Sequence, residues 1–506
     1  MTIRQRVASR PLKCVAIGAF AVFAVMVKGG YSGLPTGVPA AEAAQSLGAQ
    51  SPRVLELEPQ KLTGDFDAML ERRSIRVAVP LSRTLYFNDH GREHGFTADN
   101  VRLFERHVNR KYSKKLGKRP LTVLIGTLPR DKLLQYVVDG RADIAAGNLT
   151  VTEARRKLVD FVVPSDSHSY TEIVLTGPGV APLASAEDLA GRTVHVRQSS
   201  SYYESLVTLN ERFKKAGKRP VNMVLVPDVL EDEDMMEMLN AGLLQAMVCD
   251  DWKARIWAQM LPKINLNKGA VVREGGVVGW AIRKNSPQLT AVLKEFGKQI
   301  KPGILAASFK KYYRRIEQIH NNATASDRKR FENTISLFEK YGAKYGFDPL
   351  LLAAQGYQES RLRQDARSPG GAIGIMQVLP KTGASLEVGD ITRTEPNIHA
   401  GAKYLDRLMQ RYFADAKFDE QNRTLFAFAA YNAGPARIAQ MRELAVKRGL
   451  DPQQWFNNVE IVSSERIGMT PTTYVRNIYK YYVAYRFMEQ VRERRQKARK
   501  ALQDKR

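Results

Sequence analysis

Hydrophobic positions along the chain fall into two textures. From Ser74 to about residue 302, short β-branched runs alternate with helical stretches. IRVAVPL (75–81) and LTVLIG (121–126) alternate as strands do, and Asn100–Tyr112 and Arg130–Asp139 carry apolar residues at helical spacing. Strands interleaved with helices predict an α/β architecture. AGRTVHVRQ (190–198) is a fresh strand after a helix and marks the expected start of a second lobe. From Asp348 to about Gln490 every long segment has helical periodicity, broken by Gly/Pro/Ser loops at 368–374, 433–435 and 468–473. No repeat of fixed period interrupts this order. The chain therefore reads as a linker (45–69), an α/β unit (70–302), a helical connector (303–330), an all-α unit (331–490) and a basic tail (491–506).

The first 44 residues have another character. Residues 1–13 are basic, and 14–27 form an apolar run closed by Lys28, a pattern of export that is short for a membrane span. Two fates fit: cleavage after Ala41-Glu42-Ala43, which lies far beyond the apolar run, or retention as an N-terminal anchor. The expected location is the periplasm or cell envelope, with or without membrane association. Removal of the leader would take Cys14 with it and leave Cys249 as a lone thiol with no internal disulfide.

Hydrophobic residues make up 44% and charged residues 26% of the 506, which excludes global disorder, a collagen and a polytopic membrane protein. The net charge is +26. The two termini carry +5 and +6 of it, so the body itself is basic at +15 and suits an anionic partner. Export argues against nucleic acid as that partner.

One carboxylate stands in an unusual place. Asp348-Pro349 is a helix start, with an Asp cap and Pro in the first turn. In the following LLLAAQGYQES, Leu352, Gly356 and Glu359 share one face, which begins with Leu and would pack inward. Burial disfavours the ionised form of Glu359, and the helix C-terminus disfavours an anion. Both raise its pKa, as a general acid at neutral pH requires. A solvated, structural Glu at the rim of the face fits the same spacing.

Four segments in order separate these readings. Glu359-Ser360, then Ser368-Pro369-Gly370-Gly371-Ala372 with Gly374-Ile375-Met376-Gln377, then Ala430-Tyr431-Asn432-Ala433-Gly434, then Tyr474-Val475-Arg476-Asn477-Ile478 resemble the soluble lytic transglycosylase domain of bacterial cell-wall enzymes. The resemblance implies a lysozyme-like fold. It implies non-hydrolytic cleavage of the β-1,4 bond between N-acetylmuramic acid and N-acetylglucosamine, with Glu359 as acid and then base and a 1,6-anhydro product. It further implies that Ser360 orients the Glu359 carboxylate, that Gly374, Met376 and Gln377 shape the sugar groove, and that Tyr431, Asn432 and Tyr474 line the cleft. Two departures are Ile375 where the family has Leu, and Thr470-Pro471 where it often has Glu-Thr. The nearest further acid, Asp365, falls in a loop position the family leaves variable and is read as structural.

In the α/β unit, Gly140-Arg141-Ala142-Asp143, then Leu149-Thr150-Val151-Thr152-Glu153-Ala154-Arg155, then Phe161 and Pro164 resemble the type-3 solute-binding proteins. Their fold is two α/β lobes around a cleft. A guanidinium with neighbouring hydroxyls suits a carboxylate, so Arg155 and Thr150 are expected on a ligand carboxylate. Ser200, in Gln198-Ser199-Ser200-Ser201, and Asp250 match the second-lobe loop and the ammonium-binding acid of that family. The ligand implied is an amino acid or a muropeptide with the same zwitterionic end. Cys249 is read as a small buried residue.

His90-Gly91-Arg92-Glu93-His94 spells a zinc-protease string, but Asn88-Asp89-His90-Gly91 is a turn signal and the chemistry needs a helix. No metal or cofactor follows from the sequence. A binding module before a transglycosylase, behind an export signal, is similar to the membrane-bound lytic murein transglycosylase F family. That implies an exported enzyme acting on peptidoglycan strands under control of a ligand-binding domain. The alternatives are a non-catalytic wall sensor or solute receptor, and a hydrolytic muramidase.

Overall fold

In the computed structural model, which describes residues 61–163, 169–298 and 325–503, the first apolar run becomes the strand Ser74–Val79, buried on both faces. Burial on both faces belongs to a central strand of a mostly parallel sheet covered by helices. That sheet has the order Thr122–Thr127, Ser74–Val79, Ile144–Thr150, Val278–Ile282, Asp160–Val162. Its first three strands are parallel, and Val278–Ile282 runs antiparallel to both neighbours. A second sheet has the order Asn265–Gly276, Tyr170–Thr176, Ala246–Asp250, Thr193–Val196, Asn222–Leu225. The chain leaves the first lobe after Asp160–Val162 and re-enters it at Val278–Ile282. Two connections thus join two α/β lobes, as expected.

Three boundaries differ from the sequence reading. The second lobe begins at Tyr170–Thr176 rather than near residue 190, because that strand pairs with Ala246–Asp250. The linker stops short of residue 69: Phe66 and Met69 of the helix Phe66–Arg72 are buried in the first lobe. The border between connector and all-α unit falls inside one helix, Ala325–Tyr345. The leader with Cys14, residues 45–60, Pro164 and residues 303–324 lie outside the described residues. Cys249 is buried on a strand of the second lobe. The string at 90–94 forms a hairpin between Phe87–Asp89 and Arg92–His94, with His90 at φ +49° in its turn.

In the C-terminal unit the long final helix Met469–Gln503 packs against Pro349–Ser360, Glu420–Ala433 and Glu460–Ile467, and Ala325–Tyr345, Thr394–Tyr412 and Pro435–Lys447 pack on those helices in turn. Its apolar core is continuous with one face of the second lobe, through Met235, Met238 and Trp257. The acidic helix Asp232–Asn240 sits in this junction. Its charges are buried because cations from three directions meet them. Arg83 of the first lobe pairs with Asp234 (3.0 Å) and Glu237 (2.8 Å). Lys253 of the second lobe pairs with Asp232 at 2.5 Å. Lys480 of the final helix pairs with Glu237 (2.6 Å) and Asp234 (3.0 Å). On the first lobe, the Met469 N–H donates to Asp89 Oδ1 (2.9 Å) and the His90 N–H donates to the Ser464 carbonyl (3.1 Å). The final helix is therefore fastened to both lobes.

Candidate active site

Asp348 opens the helix Pro349–Ser360 by accepting from the N–H groups of Leu350 (2.8 Å) and Leu351 (3.3 Å). Leu352 is fully buried, and a Cβ on Gly356 would come within 3.0–3.1 Å of Ile375, Leu362 and Phe338. The helix face thus packs tightly up to Glu359, which sits at its edge, half-buried. Burial pushes the Glu359 carboxyl up to about 7, while the hydrogen bond from Tyr474 acts the other way. At neutral pH the group is divided between acid and base forms.

Tyr474, from the final helix, donates to Glu359 Oε1 across 2.5 Å. On its other side the same hydroxyl accepts from Gln355 Nε2 at 3.3 Å. Glu359 Oε2 makes no hydrogen bond among the described residues. Tyr431 also lies close enough for the Glu359 charge to be felt at its phenol, which burial holds well above its ordinary pKa. Its hydroxyl donates to the Met376 carbonyl (2.9 Å) and approaches the Gln377 carbonyl (3.2 Å).

The loop before Met376 is held by its backbone. Gly374 has φ +77°, and a Cβ there would lie 2.5 Å from Asn397 Nδ2 and from Gln364 Nε2. Asn397, fully buried, donates to the Ile373 and Ile391 carbonyls (both 2.9 Å) and accepts from the Met376 N–H (2.8 Å). Gln377 donates from Nε2 to the Gly374 carbonyl at 2.8 Å.

Ser360 does not hold the carboxylate, as the resemblance implied. Its hydroxyl donates toward the Gly356 (3.2 Å) and Ile375 (2.9 Å) carbonyls, because it points back across the helix end to the loop. The Met376 side chain is buried against Gly401 of Thr394–Tyr412 rather than lining a groove. Asn432 is exposed at the end of Glu420–Ala433, and Asp365 is exposed in its loop. The sequence reading missed Gln355 and Asn397. A Gln one turn before Glu359, among Leu and Ala, was the only signal for the first.

In the α/β unit, Arg155 donates to the Thr150 carbonyl of its own lobe and the Ser199 carbonyl of the other, both at 3.0 Å. The Thr150 hydroxyl accepts from Ser201 across the lobes at 3.1 Å. Ser200 caps the helix Ser201–Lys215 through the Tyr203 N–H (3.3 Å). Asp250 is buried, accepts from Asn148 of the first lobe (2.6 Å) and lies 3.5 Å from Lys253 Nζ. Both ends of the expected zwitterion clamp are therefore met by groups of this chain, with the lobes drawn together.

Residues 336–452 match the transglycosylase SLT domain, and residues 75–315 match the bacterial extracellular solute-binding proteins, family 3. Among curated relatives, the membrane-bound lytic murein transglycosylase F of Idiomarina loihiensis is 26% identical, over 85% of this chain and 94% of that one. Its counterpart from Desulfosudis oleivorans is 28% identical, over 71% and 77%. Among solved structures, an ancestral arginine-binding protein bound to arginine aligns at 22% identity with a TM-score of 0.37, over 48% of this chain and 99% of that one. The chain carries a family 3 solute-binding unit followed by an SLT domain, and over most of its length it is similar to membrane-bound lytic murein transglycosylases F.

Proposed function

We propose that this peptidoglycan lytic transglycosylase cuts the bond between N-acetylmuramic acid and N-acetylglucosamine with a single carboxyl group, Glu359, and leaves a 1,6-anhydromuramoyl end. The observation that carries this reading is the carboxyl itself: half-buried, raised to about 7, and hydrogen-bonded by Tyr474, with no second carboxylate among the groups that perturb it. A hydrolase of the usual kind needs two carboxyl groups flanking the bond.

The protonated Glu359 gives its proton to the glycosidic oxygen as the C1–oxygen bond breaks. The resulting carboxylate then takes the proton of the muramoyl 6-hydroxyl as that oxygen bonds to C1. Glu359 ends protonated again and no water is consumed. The positive charge that develops at the sugar ring is offset by the substrate's own N-acetyl group. Mass spectrometry of products from purified wall tests this. Anhydromuropeptides that disappear in Glu359→Gln, with wall binding retained, are the expected result. Reducing muramic ends would instead identify a hydrolase, and no product from the native protein a non-catalytic receptor.

Ligand control of this site is a second part of the reading. Between its anchor on the first lobe at Met469 and its anchor on the second at Lys480, the final helix carries Tyr474. A change in the angle between the lobes must strain one anchor against the other, and Tyr474 lies between them. Control requires that the ligand favour one lobe arrangement. The ligand expected at Arg155, Thr150, Ser200 and Asp250 is an amino acid or muropeptide. To enter it must displace the bonds those residues make within the chain. Equal turnover with and without a muropeptide whose binding calorimetry has established would remove this part. Among the described residues no helix is long and apolar enough to cross a membrane.

A further inference from the structure

The Gln355 side chain is completely closed from solvent beside the acid. It stands one turn before Glu359 on the same helix. Its amide nitrogen lies 3.3 Å from the Tyr474 oxygen, and its amide oxygen is buried without a hydrogen-bond partner among the described residues. An unsatisfied buried acceptor is costly. A Met or Leu here would avoid that cost, so a packing role alone does not account for an amide at this position.

The hydroxyl of Tyr474 has a single proton. An amide NH₂ group can only donate, so it occupies the phenol's lone pair and leaves the phenol proton to point at Glu359 Oε1. An oxygen that already accepts this bond is the poorer place for the acid proton, which then resides on Oε2. Oε2 is the oxygen with no hydrogen bond among the described residues. We propose that Gln355 is a positioning residue: by fixing the direction of the Tyr474 hydroxyl, it keeps the catalytic proton on the outward oxygen of Glu359. The inference rests on the role given to Glu359 above. The polar groups facing Glu359 are Tyr474 from the final helix and Tyr431 from Glu420–Ala433.

The test is a double-mutant cycle of Gln355→Met and Tyr474→Phe in the full chain. In the native background, Gln355→Met should lower kcat about fivefold, the worth of one neutral hydrogen bond, with KM unchanged. The Glu359 titration, followed by carboxyl NMR without substrate, should move up by about half a unit as Tyr474 loses its orientation. In the Tyr474→Phe background, Gln355→Met should change neither quantity. The melting temperature should be unchanged or higher, since the unsatisfied acceptor is gone. Equal losses in both backgrounds, or an unmoved titration, would overturn the proposal and make Gln355 a packing residue. The NMR arm needs no turnover, so it distinguishes failure here from failure of the proposed reaction.

Discussion

Lys480 of the final helix donates to Glu237 of the second lobe across 2.6 Å, with both side chains closed from water. The same ammonium meets Asp234, which Arg83 of the first lobe also holds. Three parts of the chain thus share one buried set of charges. Lys480→Met should cost about 3–5 kcal/mol, because it strands carboxylates in a site that cannot hydrate them. Urea unfolding followed by two probes should show the C-terminal unit separating from the lobes. A loss of less than ~0.5 kcal/mol would mean that the junction is set by apolar packing alone.

Tyr474→Phe removes a donor that favours the ionised form of Glu359. The Glu359 pKa must then rise, and the basic limb of the pH–rate profile should shift upward by about half to one unit. Activity near pH 6 should fall about tenfold, and the deficit should narrow towards pH 9, where more of the variant than of the native protein keeps its acid form. A limb that stays in place would dissociate Tyr474 from the acid.

Glu359→Gln should change stability as well as activity. The folded-state pKa of about 7 lies above the ordinary carboxyl value, so the native chain holds this proton more tightly than the unfolded chain. Its contribution is fully present at low pH and is lost as pH rises from about 4.5 to about 7. The amide carries no charge to bury. The variant should therefore match the native protein near pH 4 and exceed it by about 1–2 kcal/mol at pH 8. Thermal melts across that range read the difference. A constant offset would mean that Glu359 is not desolvated.

Gly374→Ala should be disruptive despite its small size. At φ +77° an added Cβ strikes Asn397 and Gln364 at 2.5 Å. About 1–3 kcal/mol of strain follows, and the loop that offers the Met376 carbonyl to Tyr431 must shift. Turnover should fall with little change in secondary structure by circular dichroism. Full activity would show that the loop bears no load for the cleft.

Much of this was legible in the chain. Periodicity distinguished the α/β unit from the all-α unit, since side-chain alternation is a local property of strand and helix. The Asp348-Pro349 start and the Leu352, Gly356, Glu359 face were likewise local, and they placed a carboxyl where burial would raise its pKa. Tertiary packing decided which hydroxyl meets that carboxyl. The adjacent Ser360 turns to the loop, and Tyr474, 115 residues away, takes its place. Packing also decided that the acidic run at 231–237, which would ordinarily face water, is buried, because its counter-ions come from Arg83, Lys253 and Lys480. A local pattern fixes which face of a helix turns inward. The partner that a polar group finds there depends on how distant helices pack, and no spacing along the chain carries that distance.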